Sequence, residues 1–543
     1  LLAAPTVTQR TLMQSFGNGA GAHFGAALAR VGDLDGDGRP ELVIGSPNFS
    51  PNPNAVNMGA ATVIDGRTGA FRYQIGPLPS AQAFAGAAVA AGRDINHDGY
   101  PDFVVGAPNY NGGFGAVTAH SGATGALLWT RDVTGSNLRQ FGTAALVIPD
   151  LSNDGRADVV VGAPGNPNGM PSAHRLNSFG AVLATPAVGA SGSDCGISVA
   201  ELSDLTNDGI PEVAIGEPGY VRSGRSGRVR VIDLATARIV HELVSFPFDS
   251  AAGQFVANAG DVDADGADDI LVSYRDTWSA GQLTPRVTVF SGRTGSQLGT
   301  ATFGATIEAS FGKATAGIGD FDGDGGDDFA VGVPDYNGGA GRVVVYSGRT
   351  QVAIATIDGD AGSHFGASIA WYGDFDGDGR DDFAVGAPDH VQNGAPVGRV
   401  SVHGLRITGI IGFFGTSCSG QSNAPSLYTL ALLNTLRPGG SFRIYARNVV
   451  PASTTYWLWG FSDTVTNGVP LPFDLTPLGF PNCNLLVSPD VVIAFASSSI
   501  ASVTLPNDPR IAGGRVYLQA AVAGAAYANG ISFSNGASIL IGN

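Results

Sequence analysis

The stretch Asp33-Leu34-Asp35-Gly36-Asp37-Gly38-Arg39-Pro40-Glu41 is the first of seven copies of one acidic pattern in this chain of 543 residues. Successive copies begin 54 to 61 residues apart, and the other six start at Asp94, Asp150, Asp204, Asp261, Asp320 and Asp374. Every copy has an acidic residue at positions 1, 5 and 9 and a glycine at position 6. Self-similarity at a nearly fixed period is typical of repeat architectures, so we expect seven similar structural units.

The residues around each acidic loop repeat as well. A Phe-Gly pair usually precedes the loop, as in Phe24-Gly25, Phe141-Gly142, Phe311-Gly312 and Phe365-Gly366. A short apolar run and then Gly-x-Pro usually follow it, as in Gly106-Ala107-Pro108. Further apolar runs, separated by turn sequences, complete each unit, which predicts four short strands with the acidic loop between the first and the second. Four strands per repeat are typical of one propeller blade, so the sequence predicts an all-β, seven-bladed β-propeller.

Three units depart from this pattern, and the two ends of the repeat region are incomplete. Unit two has Phe84-Ala85-Gly86, unit four has Cys195-Gly196, and unit five has Ala252-Gly253 in place of Phe-Gly. The seventh unit reaches only its third strand, whereas residues 6–13 precede the first Phe-Gly where other units have a fourth strand. We therefore predict that the N-terminal strand completes the last blade and closes the ring.

The repeat resembles the FG-GAP family, whose best-known members are the N-terminal propellers of integrin α subunits. The resemblance covers residues 1–407 and depends on the Phe-Gly, the acidic loop and the Gly-Ala-Pro recurring together. Calcium requires six to eight oxygen ligands, and alternating acidic side chains around a glycine turn can supply them. The resemblance implies ligands from the side chains at positions 1, 3, 5 and 9 and from the backbone carbonyl at position 7.

Up to seven structural Ca²⁺ sites are therefore predicted. The predicted ligands are Asp33, Asp35, Asp37, Arg39 and Glu41; Asp94, Asn96, Asp98, Tyr100 and Asp102; Asp150, Ser152, Asp154, Arg156 and Asp158; Asp204, Thr206, Asp208, Ile210 and Glu212; Asp261, Asp263, Asp265, Ala267 and Asp269; Asp320, Asp322, Asp324, Gly326 and Asp328; and Asp374, Asp376, Asp378, Arg380 and Asp382. The third and fourth sets use a hydroxyl at position 3, which is a poorer ligand than a carboxylate, so their occupancy stays open.

Composition excludes several classes of function. The formal net charge is −17, with 46 acidic and 29 basic residues, and Lys313 is the only lysine. A nucleic-acid partner is therefore not expected, because no basic stripe is present to neutralise phosphates. No uninterrupted apolar run is long enough to span a bilayer. The chain starts at Leu1 rather than at methionine, from which we expect a mature, secreted product whose signal peptide has been removed.

Residues 408–543 lack the acidic loops but contain further short apolar runs, which predicts a small β-sandwich-like domain. This region holds Cys418 and Cys483, which we predict to form a disulfide. The alternative is two reduced cysteines in the core of that domain.

The chain has no short-spaced metal-binding histidine pair and no nucleophile motif, so we expect that it is not an enzyme. Our first hypothesis is a secreted or cell-surface adhesion module that recognises an extracellular protein or glycan. The alternative is a subunit that assembles with copies of itself into an extracellular filament, sheath or surface layer. A secreted hydrolase or lyase is a third hypothesis.

Overall fold

The computed structural model describes the repeat region with short gaps and the C-terminal region strand by strand. The described residues are 7–17, 19–52, 56–76, 78, 80–165, 170–222, 225–244, 251–278, 282–302, 310–322, 326–375, 380–407, 410–414, 426–429, 441–447, 454–460, 465–466, 469–470, 473–475, 484–485, 491–496, 500–504, 515–523 and 531–540.

Seven antiparallel four-stranded sheets make up the repeat region. The N-terminal strand and blades one to three comprise β1 (Val7–Phe16); β2 (Ala27–Gly32), β3 (Glu41–Ser46), β4 (Ala60–Ile64) and β5 (Phe71–Ile75); β6 (Ala88–Arg93), β7 (Asp102–Ala107), the single turn α1 (Tyr110–Gly113), β8 (Ala116–His120) and β9 (Leu127–Asp132); and β10 (Ala145–Ile148), β11 (Asp158–Ala163), β12 (Ser172–Leu176) and β13 (Val182–Val188). Blades four to seven comprise β14 (Val199–Glu201), β15 (Glu212–Arg222), β16 (Arg225–Asp233) and β17 (Arg238–Leu243); β18 (Val256–Gly260), β19 (Asp269–Trp278), β20 (Gln282–Phe290) and β21 (Gln297–Thr302); β22 (Ala314–Gly319), β23 (Asp328–Val333), the single turn α2 (Tyr336–Gly339), β24 (Arg342–Tyr346) and β25 (Ala353–Asp358); and β26 (Ser368–Gly373), β27 (Asp382–Ala387), the hairpin β28 (Val391–Gln392) and β29 (Ala395–Pro396), and β30 (Arg399–Ile407).

The blades form a closed ring. The first strands of consecutive blades contact each other around the whole circle, and β26 of blade seven contacts β2 of blade one. In blade seven, β1 pairs with β30, so the N-terminal strand completes the sheet as predicted. Met13 of β1 is 6% exposed and packs in an apolar cluster with Phe24, Ile64 and Tyr372, so this strand also contributes to the core between blades seven and one. The prediction of a seven-bladed β-propeller is confirmed.

The second strand of each blade is the most deeply buried part of the propeller. All six residues are buried in β3, β7, β11, β23 and β27, which are the continuous apolar runs in the sequence. The fourth strands instead consist mainly of half-buried and exposed residues, as in β9. Burial on both sides explains why the second strands have apolar residues at successive positions rather than at alternate ones.

The irregular Phe-Gly units adopt the same backbone arrangement as the regular ones. In blades one, three and seven the glycine N–H donates to the carbonyl of the first glycine of Gly-x-Pro, over 3.0 to 3.2 Å. Gly86, Gly196 and Gly253 make the same hydrogen bond in blades two, four and five, to Gly106, Gly216 and Ser273. Ala85-Gly86 is therefore the equivalent pair in blade two, and Phe84 is the extra residue.

Neighbouring blades approach closely at a glycine before the third strand. Gly115 forms an isolated bridge with Phe141 of the next blade, and Gly341 does the same with Phe365. At Gly115, φ is +95°, and an added Cβ would lie 2.2 Å from the carbonyl oxygen of Phe141. Only glycine allows both this conformation and this contact.

The second compact unit consists mainly of residues 405–543, beside a first unit of residues 9–375 and 380–404. Its strands are β31 (Ile410–Phe414), β32 (Ser426–Thr429), β33 (Ser441–Arg447), β34 (Thr454–Gly460), β35 (Val465–Thr466), β36 (Val469–Pro470), β37 (Phe473–Asp474), β38 (Asn484–Leu485), β39 (Val491–Ala496), β40 (Ile500–Thr504), β41 (Arg515–Ala523) and β42 (Ile531–Leu540). They form a five-stranded sheet (β31-β42-β41-β34-β39), a three-stranded sheet (β32-β33-β40) and two hairpins. The boundary after residue 407 and the sandwich-like packing stay predictions. Cys418 and Cys483 lie outside the described residues.

Candidate metal centres in the acidic loops

Each acidic loop connects the first and second strands of its blade, and its ninth residue is the first residue of the second strand. This ninth residue is an acid with an exposure of 2% or less, and the seven are Glu41, Asp102, Asp158, Glu212, Asp269, Asp328 and Asp382. In every loop except the sixth, one carboxylate oxygen accepts the backbone N–H of position 2, as in Leu34 to Glu41 (2.6 Å) and Ile95 to Asp102 (2.7 Å). In loop six the donor is the N–H of Asp322 at position 3. The carboxylate therefore fixes the start of the loop to the core of the blade.

In three blades the same carboxylate also contacts the turn between the third and fourth strands. Its second oxygen accepts the N–H of Gly122 in blade two, Gly292 in blade five and Gly348 in blade six, at 2.9 to 3.1 Å. These are neutral partners, and burial raises the pKa of Asp102 to about 6 and that of Asp269 to about 7. Ionised carboxylates at these depths need a compensating positive charge, which a bound cation would supply.

In loops one to five the backbone folds around the carboxylate of the first acid, which accepts N–H groups from later residues of the loop. Asp33 accepts the N–H groups of Gly36 and Gly38 at 2.7 and 2.9 Å. Asp261 likewise accepts the N–H groups of Asp265 and Gly266 at 2.9 and 2.8 Å. Positions 4 and 6 have positive φ in loops one to five, and the residues at position 4 are Gly36, His97, Asn153, Asn207 and Ala264. This curl directs the alternating side chains of a loop toward a common centre.

Four loops bring three acids together closely enough to share an ion. One carboxylate oxygen from each acid lies within 4.8 Å of the others in the groups Asp33, Asp35 and Glu41; Asp204, Asp208 and Glu212; Asp261, Asp263 and Asp265; and Asp320, Asp322 and Asp328. The donors are all hard oxygens, which is the chemistry that calcium prefers. Oε1 of Glu41 is buried and makes no hydrogen bond of standard geometry in the described part of the chain, and the guanidinium of Arg72 lies 3.6 Å from it. The residues present therefore fit a hard divalent cation.

The other loops differ in how their acids are held. In loop two, Asn96 donates to Asp98 at 2.8 Å. In loop three, Ser152 donates to Asp158 at 3.0 Å and to Asp150 at 3.3 Å. Among the described residues, neither loop brings three acids within the distance found in the four groups. In the sixth and seventh loops, Asp324, Asp376 and Asp378 lie outside the described residues, and the seven position-7 carbonyls stay predicted ligands.

In the described part of the chain, arginine side chains form ion pairs with acids of loops one and five, which sequence reasoning did not predict. In loop one, Arg72 lies 2.5 Å from Asp35 and 3.6 Å from Glu41. Arg67, in the turn before β5, contacts Asp37 at 2.6 Å and lowers the pKa of that carboxyl through the hydrogen bond. Arg293 makes the matching contact with Asp265 in loop five, at 3.1 Å. These guanidinium groups hold positive charge at carboxylates that a cation would also use.

Adjacent loops contact each other around one end of the ring. His97 Nδ1 lies 2.9 Å from the carbonyl oxygen of Gly155 in the next loop. The N–H of Asp327 donates to the carbonyl of Asp261 in the preceding loop at 3.1 Å, and the carboxylate of Asp327 accepts the N–H of Asp261 at 2.8 Å. Burial raises the pKa of Asp327 and of Asp381, the acids at position 8 of loops six and seven. Sequence reasoning missed these position-8 acids, whose only signal was an Asp-Asp pair at the end of a loop.

Cys195 has the properties of a core residue. It occupies the Phe-Gly position of blade four, is fully buried, and burial raises the pKa of its thiol to about 12. The thiol is therefore protonated at neutral pH and is not available as a nucleophile. No helix in the described part of the chain is long and apolar enough to span a bilayer.

Comparisons with known proteins identify the repeat. The family model described as FG-GAP repeat matches residues 24–64, 85–120, 141–183 and 365–403, which lie in blades one, two, three and seven. The chain is similar to integrin alpha-11 of Homo sapiens, with 34% identity over 161 residues, which is 28% of this chain and 13% of the relative. It is also similar to integrin alpha-3 of Mus musculus, with 39% identity over 116 residues, which is 21% of this chain and 10% of the relative. The matches thus span only a small part of these relatives. A solved structure titled "Structure of Dos1 propeller" aligns with a TM-score of 0.43 and 12% identity over 73% of this chain and 95% of that chain.

Proposed function

Because this chain contains FG-GAP repeats of the integrin α type, we propose that it is a calcium-binding, non-enzymatic adhesion module that acts outside the cell. The observation that supports this proposal most is the convergence of three acids in four of the seven equivalent loops. Propellers of this kind present loops for recognition on a rigid scaffold. The similarity to integrin α subunits favours an extracellular or cell-surface protein as the partner.

The calcium ions have a structural role in this proposal. The seven loops contain 25 of the 46 acidic residues as predicted ligands, and filling all seven with divalent ions would change the formal charge from −17 to −3. The ion would remove repulsion between carboxylates that lie a few ångströms apart and connect the loop to the second strand. Calcium suits these sites better than magnesium, because magnesium keeps its water ligands and rarely uses a cage made only of protein.

An extracellular location agrees with this chemistry. Modules outside the cell use calcium sites with dissociation constants on the order of 10⁻⁴ to 10⁻³ M, which extracellular calcium keeps filled. Carboxylates committed to such ions are poor general acids or bases. We further propose that residues 408–543 are a separate β-sandwich-like domain with a disulfide between Cys418 and Cys483.

The first test is calcium titration of the purified full chain by isothermal calorimetry, with Asp263→Asn as the test variant and Asp358→Asn as its control. Both acids are exposed, but Asp263 belongs to the loop-five group while Asp358 pairs with Arg342 on β24. We expect the wild type and Asp358→Asn to bind the same number of ions and Asp263→Asn to bind one fewer, or one much more weakly. Equal binding by all three proteins would contradict the assignment of loop five.

The second test addresses the partner. The biotinylated chain is applied to an array of extracellular and cell-surface proteins in about 1 mM calcium and again in excess chelator, with light scattering of the same samples. The proposal predicts a monomer and calcium-dependent capture by individual proteins on the array. Large calcium-dependent assemblies of the chain itself, without capture, would overturn it in favour of a self-assembling subunit.

A further inference from the structure

A cavity of about 340 Å³ lies between blades one and two. Apolar side chains that include Ala61, Ile75 and Val105 line it, together with the polar side chains of Gln74 and His120. Leu127 of β9 also lines the cavity and is 57% exposed, so the cavity reaches the surface at the outer part of the propeller. Its volume is at the lower end of the range of about 300 to 1,000 Å³ that is common for small-ligand sites.

The cavity exists because blade one has an alanine where most other blades have valine. Ala61 pairs with the first glycine of its Gly-x-Pro, Gly45. The residues at the same register position in blades two, four, five, six and seven are Val117, Val229, Val287, Val343 and Val400, and only blade three also has alanine, Ala173. A Cβ added at Gly142 would lie 3.0 Å from a γ-methyl of Val117, which shows that this valine fills the space beside the next blade. Ala61 leaves the equivalent space open.

His120 contributes a buried ring nitrogen for which the fold supplies no hydrogen bond of standard geometry. The side chain is 4% exposed and stacks on Phe103 with ring centroids 5.5 Å apart. Its Nε2 lies 2.9 Å from Oγ1 of Thr118, and Nδ1 makes no hydrogen bond of standard geometry in the described part of the chain. The ring also contacts the backbone of Gly125, which acts to raise the pKa of the imidazole against the effect of burial. Blade six has Tyr346 at the same register position, stacked on Phe329 with ring centroids 5.3 Å apart, so stacking there does not require an imidazole. A buried nitrogen without a partner is costly unless a ligand or water completes its hydrogen bonding.

We propose that this cavity binds an apolar ring that bears a hydroxyl group, with the hydroxyl hydrogen bonded to Nδ1 of His120. A hydroxyl can donate and accept, so it suits either neutral tautomer of the imidazole. The space left by Ala61 receives the ring, and Gln74 provides a second polar group at the wall. A free phenol and the tyrosine side chain of a partner share this chemistry. The cavity adjoins the second acidic loop, because Gly122, two residues after His120, donates to Asp102. None of the residues that line it is a predicted calcium ligand.

The test uses p-cresol and, in a second arm, N-acetyl-tyrosinamide as probes, with the folded full chain and ligand-observed NMR. Ala61→Val fills the cavity with the residue that five other blades have. His120→Phe removes the nitrogen but keeps an aromatic ring at the position where Tyr346 stacks on Phe329 in blade six. His403→Phe is the matched control, because His403 has the same register position in blade seven and its Nδ1 also has no partner among the described residues. Circular dichroism and thermal melting confirm that each variant is folded.

We expect the wild type and His403→Phe to bind p-cresol equally, with a dissociation constant on the order of 0.1 to 1 mM. Ala61→Val and His120→Phe should each weaken binding by about tenfold or more, and toluene should bind wild type more weakly than p-cresol does. Binding of p-cresol alone assigns the site to a free small molecule, and binding of both probes extends it to a tyrosine side chain. Absence of binding by both probes, as in a cavity that holds water only, would overturn the proposal. Equal binding by all four proteins would overturn it as well.

Discussion

Replacing Asp269 by asparagine should have opposite consequences with and without calcium. Asp269 is fully buried at position 9 of loop five and accepts the N–H groups of Val262 and Gly292, at 3.0 and 3.1 Å. Asparagine has the same shape and no charge. The substitution therefore separates the cost of burying a carboxylate from the contribution that Asp269 would make as the proposed metal ligand at position 9.

The change in the free energy of unfolding expected in chelator follows from the pKa of Asp269, which burial raises from 3.8 to about 7. At about 1.4 kcal/mol per pKa unit, ionisation at pH 8 in the metal-free fold costs on the order of 4 kcal/mol. The asparagine amide can accept only one of the two backbone N–H groups, and the other then costs about 1–3 kcal/mol. Without metal, Asp269→Asn should therefore raise the free energy of unfolding by about 1–3 kcal/mol.

Calcium should remove the stability advantage of Asp269→Asn over wild type. A site with a dissociation constant of about 10⁻⁴ M stabilises the folded chain by about 2.7 kcal/mol at about 10 mM calcium. The variant loses most of this contribution, so it should be no more stable than wild type in calcium. Urea titrations at pH 8, followed by circular dichroism in calcium and in chelator, measure both differences. A variant that is less stable than wild type in chelator, or whose advantage is the same in calcium, would refute the reasoning.

Three further predictions concern other parts of the propeller. Arg72→Ala should strengthen calcium binding at loop one by about 3- to 10-fold in calorimetry, because it removes a competing positive charge, and unchanged affinity would count against competition. Gly115→Ala should lower the free energy of unfolding, measured in urea, by about 2–4 kcal/mol, because the added Cβ would meet the carbonyl of Phe141. The control Gly112→Ala has open space around the added Cβ and should lower it by only about 1 kcal/mol. Equal losses of stability would contradict the close contact between blades. Burial lowers the pKa of His120 to about 4, so the unfolded chain takes up this proton first as the pH falls below 6.5. Relative to His120→Phe, wild type should therefore lose up to about 3 kcal/mol of stability between pH 6.5 and about 4 and show no such loss above pH 7, and parallel pH profiles would contradict this.

The fold could be predicted from the sequence because the same pattern of strands and turns occurs in seven consecutive repeats. The spacing of the acidic loops gave the blade number, and the missing fourth strand of the last unit predicted the pairing of β1 with β30. The amino-acid sequence alone did not show whether the units without a regular Phe-Gly pair keep the same backbone arrangement. Ala85 and Ala252 take the place of a phenylalanine because the backbone hydrogen bond of the following glycine, rather than the aromatic ring, defines the position.

The candidate sites were predicted less completely. Alternation of acids predicted which side chains point inward, and the structure brings three of them together in four loops. The contacts of Arg72 and Asp327 depend on which residues of another strand or another blade lie nearby, and local spacing contains no such information. The cavity at Ala61 follows from a comparison of the seven blades at one register position, which became possible only when the strand pairing was known.

Native mass spectrometry of the full chain in about 1 mM calcium, before and after chelation, tests the central claim most directly, because it counts the ions bound to each molecule. The account predicts between four and seven calcium ions per chain, corresponding to the four convergent groups and the seven loops, and their loss on chelation. A chain that binds no calcium under these conditions would contradict the assignment of the acidic loops as metal centres.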